Sequence, residues 1–184
     1  VPMLFATELA EDVSAGRRGW TALINSFLHP AMEHFLYNAE NRLREYRTKN
    51  PLLIFRNDGD ASRVAKTIAL KTYSSGPRGG MEGVKEFSRR YRLLNVASMD
   101  IGGTTTDIGH IVNHTVKDSR HGTVEGVPIS FGLCEIASPG VGGSSILSVN
   151  GKDIEVGPES VGAVPGPASF GRGGKESTMT DVNL

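Results

Sequence analysis

The sequence predicts an α/β fold, and three observations carry that prediction. Residues 18–48 repeat apolar side chains at helical spacing, two apolar runs at 51–55 and 93–101 bracket a second helical stretch, and glycine crowds the later part of the chain. Of 23 glycines only Gly16, Gly19 and Gly59 precede residue 75, so tight turns between short elements belong beyond that point.

Taken in order, Trp20, Leu23, Ile24, Phe27, Leu28, Met32, Phe35, Leu36, Ala39, Leu43 and Tyr46 recur at steps of three and four. That is the period of an amphipathic helix with one buried stripe, and it assigns these aromatic and methionine side chains to the core. Pro30 lacks an amide donor and crowds the preceding turn, which predicts a kink near His29 or a second helix starting at Pro30. "PLLIF", residues 51–55, stands before the turn "RNDGD" and reads as a buried strand, with a short helix over 61–69 to follow. "TYSSGPRGG" reads as a loop, and "MEGVKEFSRRYR" regains helical spacing through Met81, Val84, Phe87 and Tyr91.

"LLNVASMDI", 93–101, is apolar enough for a central strand. Strand, helix and strand in succession point to an α/β layer with parallel pairing. "TDIGHIV" and "TVKDS" flank Asn113 and His114, the spacing of a tight hairpin. Further short strands are expected at 127–131, 133–137, 145–149 and 153–156. The glycine- and proline-rich stretch 157–174 is expected to be an extended loop without a regular element.

The chain has 184 residues, enough for one domain or two small lobes with a buried core. Twenty basic residues balance twenty acidic ones without long like-charged blocks, so the charge pattern recruits neither nucleic acid nor an anionic membrane. No apolar run approaches the length of a membrane span, and the first residues lack the pattern of a signal peptide. The single cysteine, Cys134, excludes an internal disulfide and points to a reducing, cytoplasmic setting. A first residue other than methionine suggests a piece of a longer chain.

"MDIGGTTTD", residues 99–107, joins the end of an apolar strand to the start of a hairpin. Gly102 and Gly103 at the bend let backbone amides converge into an anion-binding nest, and Thr104, Thr105 and Thr106 add hydroxyl donors. Asp100 and Asp107 repel a phosphate, so their use there is to hold Mg2+ or its water shell against phosphate oxygens. The Walker A loop and the dinucleotide fingerprint both lead into a helix, whereas this turn leads into a strand. The bland alternative is a tight Gly-Gly turn flanked by ordinary strand threonines.

"DIGGTTTD" resembles the phosphate motif of the hydantoinase A and oxoprolinase family. So, in the family's order, do "NSFLHPAMEHFL" at 25–36, "SSGPRGG" at 74–80, "GVGGSSI" at 140–146, and "VGPESVGAVPGPASFGRGG" at 156–174 followed by "TMTD". The resemblance implies a partial actin-like (ribonuclease H-like) ATPase domain with a mixed sheet over 51–184, preceded by a helical segment over 1–50 that packs on it. It implies ATP and Mg2+ as cofactors, a small-molecule substrate, and as partners the rest of a parent chain and a second subunit of the hydantoinase B type. It also implies an activity: phosphoryl activation of a carbonyl, opening a ring of the hydantoin or 5-oxoproline kind. A ketone carboxylase subunit and a non-catalytic, subunit-binding lobe are the alternatives.

Carried over, Asp100 and Asp107 organise metal and attacking oxygen, while Gly102, Gly103, Thr104, Thr105 and Thr106 contact phosphate. Gly140, Gly142, Gly143 and Ser144 form a second glycine loop on another wall of the cleft. The chain departs from the family at Ser138 and Pro139, where a His-Thr pair is common, and at Asp60, where glycine is usual. Among other candidates, His110 and His114 read as surface or packing residues and Cys134 as a core thiol. Asp181 reads equally as a helix cap or a site residue, and Arg172 as a partner of Glu159 or Glu176 before phosphate.

Overall fold

A computed structural model describes residues 5–184. After α1 (Ala6–Leu9), α2 (Ala15–Glu45) runs as one helix of 31 residues. Ser14 caps it by accepting from the Arg17 amide, and Asp12 accepts two hydrogen bonds from the Arg17 guanidinium. Pro30 lies inside this helix and no second helix begins there, because one lost amide bond does not end a helix that extends several turns to either side.

The wide apolar stripe expected on α2 is not buried. Thr21, Asn25 and Leu36 are its buried residues, whereas Trp20, Leu23, Phe35 and Tyr46 are exposed and Phe27 is 83 % exposed. Polar bonds hold the inward face: Asn25 Oδ1 accepts from the Leu70 amide at 3.0 Å, and Thr21 Oγ1 accepts from the Ser130 amide at 2.9 Å.

Strands β1 (Leu53–Phe55) and β2 (Ala61–Arg63) form an antiparallel hairpin around "RNDGD", so "PLLIF" is a strand but only partly buried. The helix expected over 61–69 is absent: its residues make β2 and single 3-10 turns at Val64–Lys66 and Ala69–Thr72, cross-strand pairing having overridden local propensity. Helix α3 (Ser75–Arg90) begins inside the stretch expected to be a loop. The helix runs through the glycines of "SGPRGG" with Arg78 anchored to Glu82 and Asp118 and Gly79 in contact with the Phe55 ring.

The remaining strands are β3 (Asn95–Ile101), β4 (Thr106–Val112), β5 (Thr115–Val116), β6 (Asp118–Ser119), β7 (Thr123–Val124), β8 (Val127–Pro128), β9 (Leu133–Cys134), β10 (Ile136–Ala137), β11 (Ser145–Asn150) and β12 (Asp153–Ser160). The principal sheet has the order β10-β4-β3, with β5 pairing on β4. Every ladder among the described residues is antiparallel, which corrects the expected parallel pairing and mixed sheet; β1 pairs with β2 instead of reaching across to β3. In consequence β3 is an edge strand here, with β4 in the middle.

Asn113 and His114 both have positive φ, of 50° and 59°, the geometry of a type I′ hairpin turn as expected. Helix α3 covers one face of this sheet. Met81 packs with Ile111 and Val116, joined by Val84, Val96, Cys134 and Ile136. The approach is close at Gly109, where a Cβ would stand 2.5 Å from the Met81 sulfur. On the other face Met99, Ile101, Ile108 and Val112 are exposed. Over 157–174, β12 continues to Ser160 and a 3-10 turn spans Ala168–Phe170; the rest is irregular. Helix α4 (Met179–Val182) closes the chain with a capping box between Thr178 and Asp181.

Candidate nucleotide site

The β3–β4 register sets Asp100 directly opposite Asp107, just before the turn. The two carboxylates share a cavity of about 20 Å3 with Ser98, Gly109 and, from the first turns of α3, Pro77 and Gly80. The "SGP" segment thus sits against the acidic pair. Ser138 Oγ donates a hydrogen bond to Asp107 Oδ1, and neither aspartate has a basic partner among the described residues. Like charges directly opposite one another destabilise a strand pair, so this arrangement favours a cation. No cluster of three His, Cys, Asp or Glu side chains stands ready for a metal among the described residues. The donor set fits Mg2+, which is commonly held by one or two carboxylates with the remaining ligands from water and phosphate.

Beyond the aspartates the turn folds under the second glycine loop. The Gly143 amide donates to Gly102 O at 2.9 Å and the Ser144 amide to Gly103 O at 2.6 Å. From the strand side, the Thr106 amide donates to Pro139 O and its hydroxyl to Val141 O at 2.6 Å. Gly142 is the point of closest approach: a Cβ there would stand 2.6 Å from Gly102 O. Glycine is required at that position by proximity of backbone to backbone. Thr180 fastens the far side, its amide and hydroxyl both donating to Gly143 O.

These loops border an open cleft of about 530 Å3 lined by Ile101, Gly103, Thr104, Ser144, Phe170 and Thr180, among others. The sequence-derived site therefore divides in two. The amides of Gly102, Gly142, Gly143 and Ser144 are engaged within the chain, and the buried Thr106 hydroxyl clamps the loops together. Gly140 rests against Pro158, outside the lining of the cleft. The amides of Gly103, Thr104 and Thr105 and the hydroxyls of Thr104 and Thr105 have no partner among the described residues, and of these three residues Gly103 and Thr104 line the cleft.

The model of the hydantoinase/oxoprolinase family matches residues 18–184. The chain belongs to the hydantoinase/oxoprolinase family. It is 28 % identical over its whole length to the acetophenone carboxylase gamma subunit of Aromatoleum aromaticum, of which it covers 26 %. Among solved structures it matches the nucleotide-free form of acetone carboxylase with a TM-score of 0.79 and 23 % identity, over 91 % of this chain and 24 % of that one. It matches the ATP-dependent caprolactamase of Pseudomonas jessenii with a TM-score of 0.68 and 27 % identity, over 94 % of this chain and 25 % of that one. The chain thus spans about a quarter of the length of these relatives, and its fold is a piece of the actin-like ATPase type.

Among the other candidates in this hydantoinase/oxoprolinase chain, Asp181, Arg172, His114 and Cys134 each make contacts within the fold. Asp181 accepts from the Ser169 amide at 2.8 Å, as well as from the Thr178 amide and hydroxyl, and these bonds hold its carboxyl well below the usual carboxylate range. It is a cap. Arg172 lies 5.9 Å over the Phe170 ring and makes no ion pair with Glu159 or Glu176 among the described residues. His114 Nδ1 meets the buried Ser88 hydroxyl at 2.6 Å and His110 is exposed, consistent with packing and surface roles. Burial pushes the Cys134 thiol up to about 11, in keeping with a core position. Sequence reasoning gave no role to Ser138, Phe170 or Thr180, which the fold brings to the acidic pair and the cleft from later in the chain, Ser138 standing 31 residues beyond Asp107.

Proposed function

We propose that this chain supplies the phosphate-holding part of an ATP- and Mg2+-dependent enzyme that opens cyclic amides of the hydantoin or 5-oxoproline kind. The observation that carries the reading is the turn at Gly102–Thr105. The second glycine loop pins it, its amides and hydroxyls without a partner belong to exposed residues of which Gly103 and Thr104 line the cleft, and a carboxylate pair without a basic partner adjoins it in the hairpin. Membership of the hydantoinase/oxoprolinase family and the resemblance to an ATP-dependent caprolactamase support the choice of a cyclic amide.

In this account the Gly103, Thr104 and Thr105 donors hold the phosphates by directed hydrogen bonds. Asp100 and Asp107 hold Mg2+, which when bound neutralises charge on the transferring phosphoryl group. The amide oxygen of the ring takes the γ-phosphoryl group with release of ADP; water adds at the carbon, the ring C–N bond breaks as the nitrogen takes a proton and leaves an acyl phosphate, and a second water releases phosphate and the free carboxylate. The substrate, the remaining walls of the site and a second subunit belong to the rest of the enzyme, and we place it in the cytoplasm. A ketone carboxylase is the second reading, favoured by the match of the whole of this chain to a quarter of the acetophenone carboxylase gamma subunit.

The test is ADP release by the enzyme that carries this chain, with hydantoin, 5-oxoproline, or a ketone plus bicarbonate as substrate. The proposal predicts stimulation by a cyclic amide and a loss of about 10²-fold or more in Asp100→Asn. Stimulation by the ketone alone selects the second reading, and unchanged turnover in Asp100→Asn removes the catalytic role of the acidic pair.

A further inference from the structure

Asp107 differs from its neighbour across the ladder in one respect. The Asp100 carboxylate has no hydrogen-bond partner among the described residues, whereas Asp107 Oδ1 is engaged by the Ser138 hydroxyl. Ser138 stands 31 residues further along the chain and is delivered by β10, whose Ala137 pairs with Ile108 on β4, next to Asp107. The neighbouring Pro139 is fixed in turn, its carbonyl accepting from the Thr106 amide. The backbone that carries Ser138 is therefore tied to β4 on both sides of the hydroxyl. A hydroxyl held this way fixes the rotation of the carboxylate and leaves Oδ2 as its oxygen without a protein partner.

We propose that Ser138 is a positioning residue for Asp107: by holding Oδ1 it leaves Oδ2 as the oxygen free to take Mg2+. This rests on the reading of Asp100 and Asp107 as the metal-organising pair. Groups that orient a metal-binding carboxylate typically change affinity or activity by 10–100-fold when removed, without themselves touching the reacting atoms. The same hydroxyl ties the acidic pair to the loop that pins the phosphate turn, so the geometry of one follows that of the other.

The test uses the enzyme carrying this chain, with Ser138→Ala, Ser138→Thr and Asp107→Asn. Ser138 is exposed, so its variants leave the core unchanged. Two quantities are read: kcat and KM for ATP, and Mg2+ affinity by calorimetry in the presence of a non-hydrolysable ATP analogue. Ser138→Ala is expected to lower kcat about tenfold with KM for ATP within about twofold, and to weaken Mg2+ about tenfold. Ser138→Thr, which keeps the hydroxyl, is expected to restore both. If Asp107→Asn abolishes turnover while Ser138→Ala leaves kcat and Mg2+ affinity within about twofold, the positioning role is overturned. Equal losses in Ser138→Ala and Ser138→Thr also overturn it, since the hydroxyl is then not what matters. Wild-type turnover in Asp107→Asn identifies the underlying reading of the acidic pair as the failure, and the inference falls with it.

Discussion

Gly142 and Gly103 look alike in sequence and differ in what surrounds them. A Cβ at Gly142 would press 2.6 Å from the Gly102 carbonyl oxygen, a backbone atom that yields only if the two loops part. At Gly103 the nearest atom to an added Cβ is Ser144 Oγ at 3.8 Å, an ordinary contact. Gly142→Ala is therefore expected to destabilise the fold by about 1–3 kcal/mol, read as a lowered denaturant midpoint, while Gly103→Ala leaves it within about 0.5 kcal/mol. Equal effects at the two positions would show that the loops do not touch as described. Cys134 yields another prediction at this scale. With its thiol pushed up to about 11 by burial, it should resist alkylation in the folded protein at pH 8 and react once denaturant is added.

Among the elements, α3 and the sheet are joined at Gly109, where Met81 leaves no space for a side chain. Gly109→Val should cost about 1–3 kcal/mol, and Met81→Ala in the same protein should recover part of that loss, a coupling a double-mutant cycle measures. The same helix holds Glu82, where burial raises the carboxyl and hydrogen bonds from Lys85 and Arg78 more than offset it, leaving it below its usual value. The folded state thus binds that proton less readily than the unfolded chain. The stability Glu82 contributes is present above the ordinary glutamate value and is lost as pH falls through the lowered one. Unfolding midpoints followed from pH 7 downward should drop less steeply in Glu82→Gln, and parallel curves for the two proteins would refute the linkage.

At this scale the limits of the sequence are also visible. The Asn113–His114 turn and the strand at 95–101 were legible because dipeptide turns and apolar runs are local signals. The start of α3 was not, because Gly76, Gly79 and Gly80 read as loop residues by local propensity, whereas the anchoring of Arg78 by Glu82 and Asp118 shows only in the folded chain. Antiparallel pairing of β1 was hidden for the same reason: its partner, Ala61–Arg63, has no strand pattern of its own.

For the molecule as a whole, the acidic pair and the phosphate turn were legible as one motif. Their separation into a small cavity under α3 and an open cleft beside the second glycine loop was not, since it depends on alternate side chains of β3 and β4 pointing to opposite faces. The apolar residues of α2 misled for a related reason: spacing announces that a helix has an apolar side, but only packing decides whether that side is covered. No helix among the described residues is long and apolar enough to cross a membrane.

The central claim is that the turn at Gly102–Thr105 is a working phosphate site, and calorimetric titration with Mg2+ and a non-hydrolysable ATP analogue tests it most directly. The comparison is between the unaltered protein and Gly103→Val, whose Cβ has room in the fold and whose methyl groups enter the cleft beside the free donors. The account predicts binding that weakens by about tenfold or more in the variant, roughly 1.4 kcal/mol, at an unchanged melting temperature. Equal affinity in the two folded proteins, or no binding by the unaltered one, would contradict it.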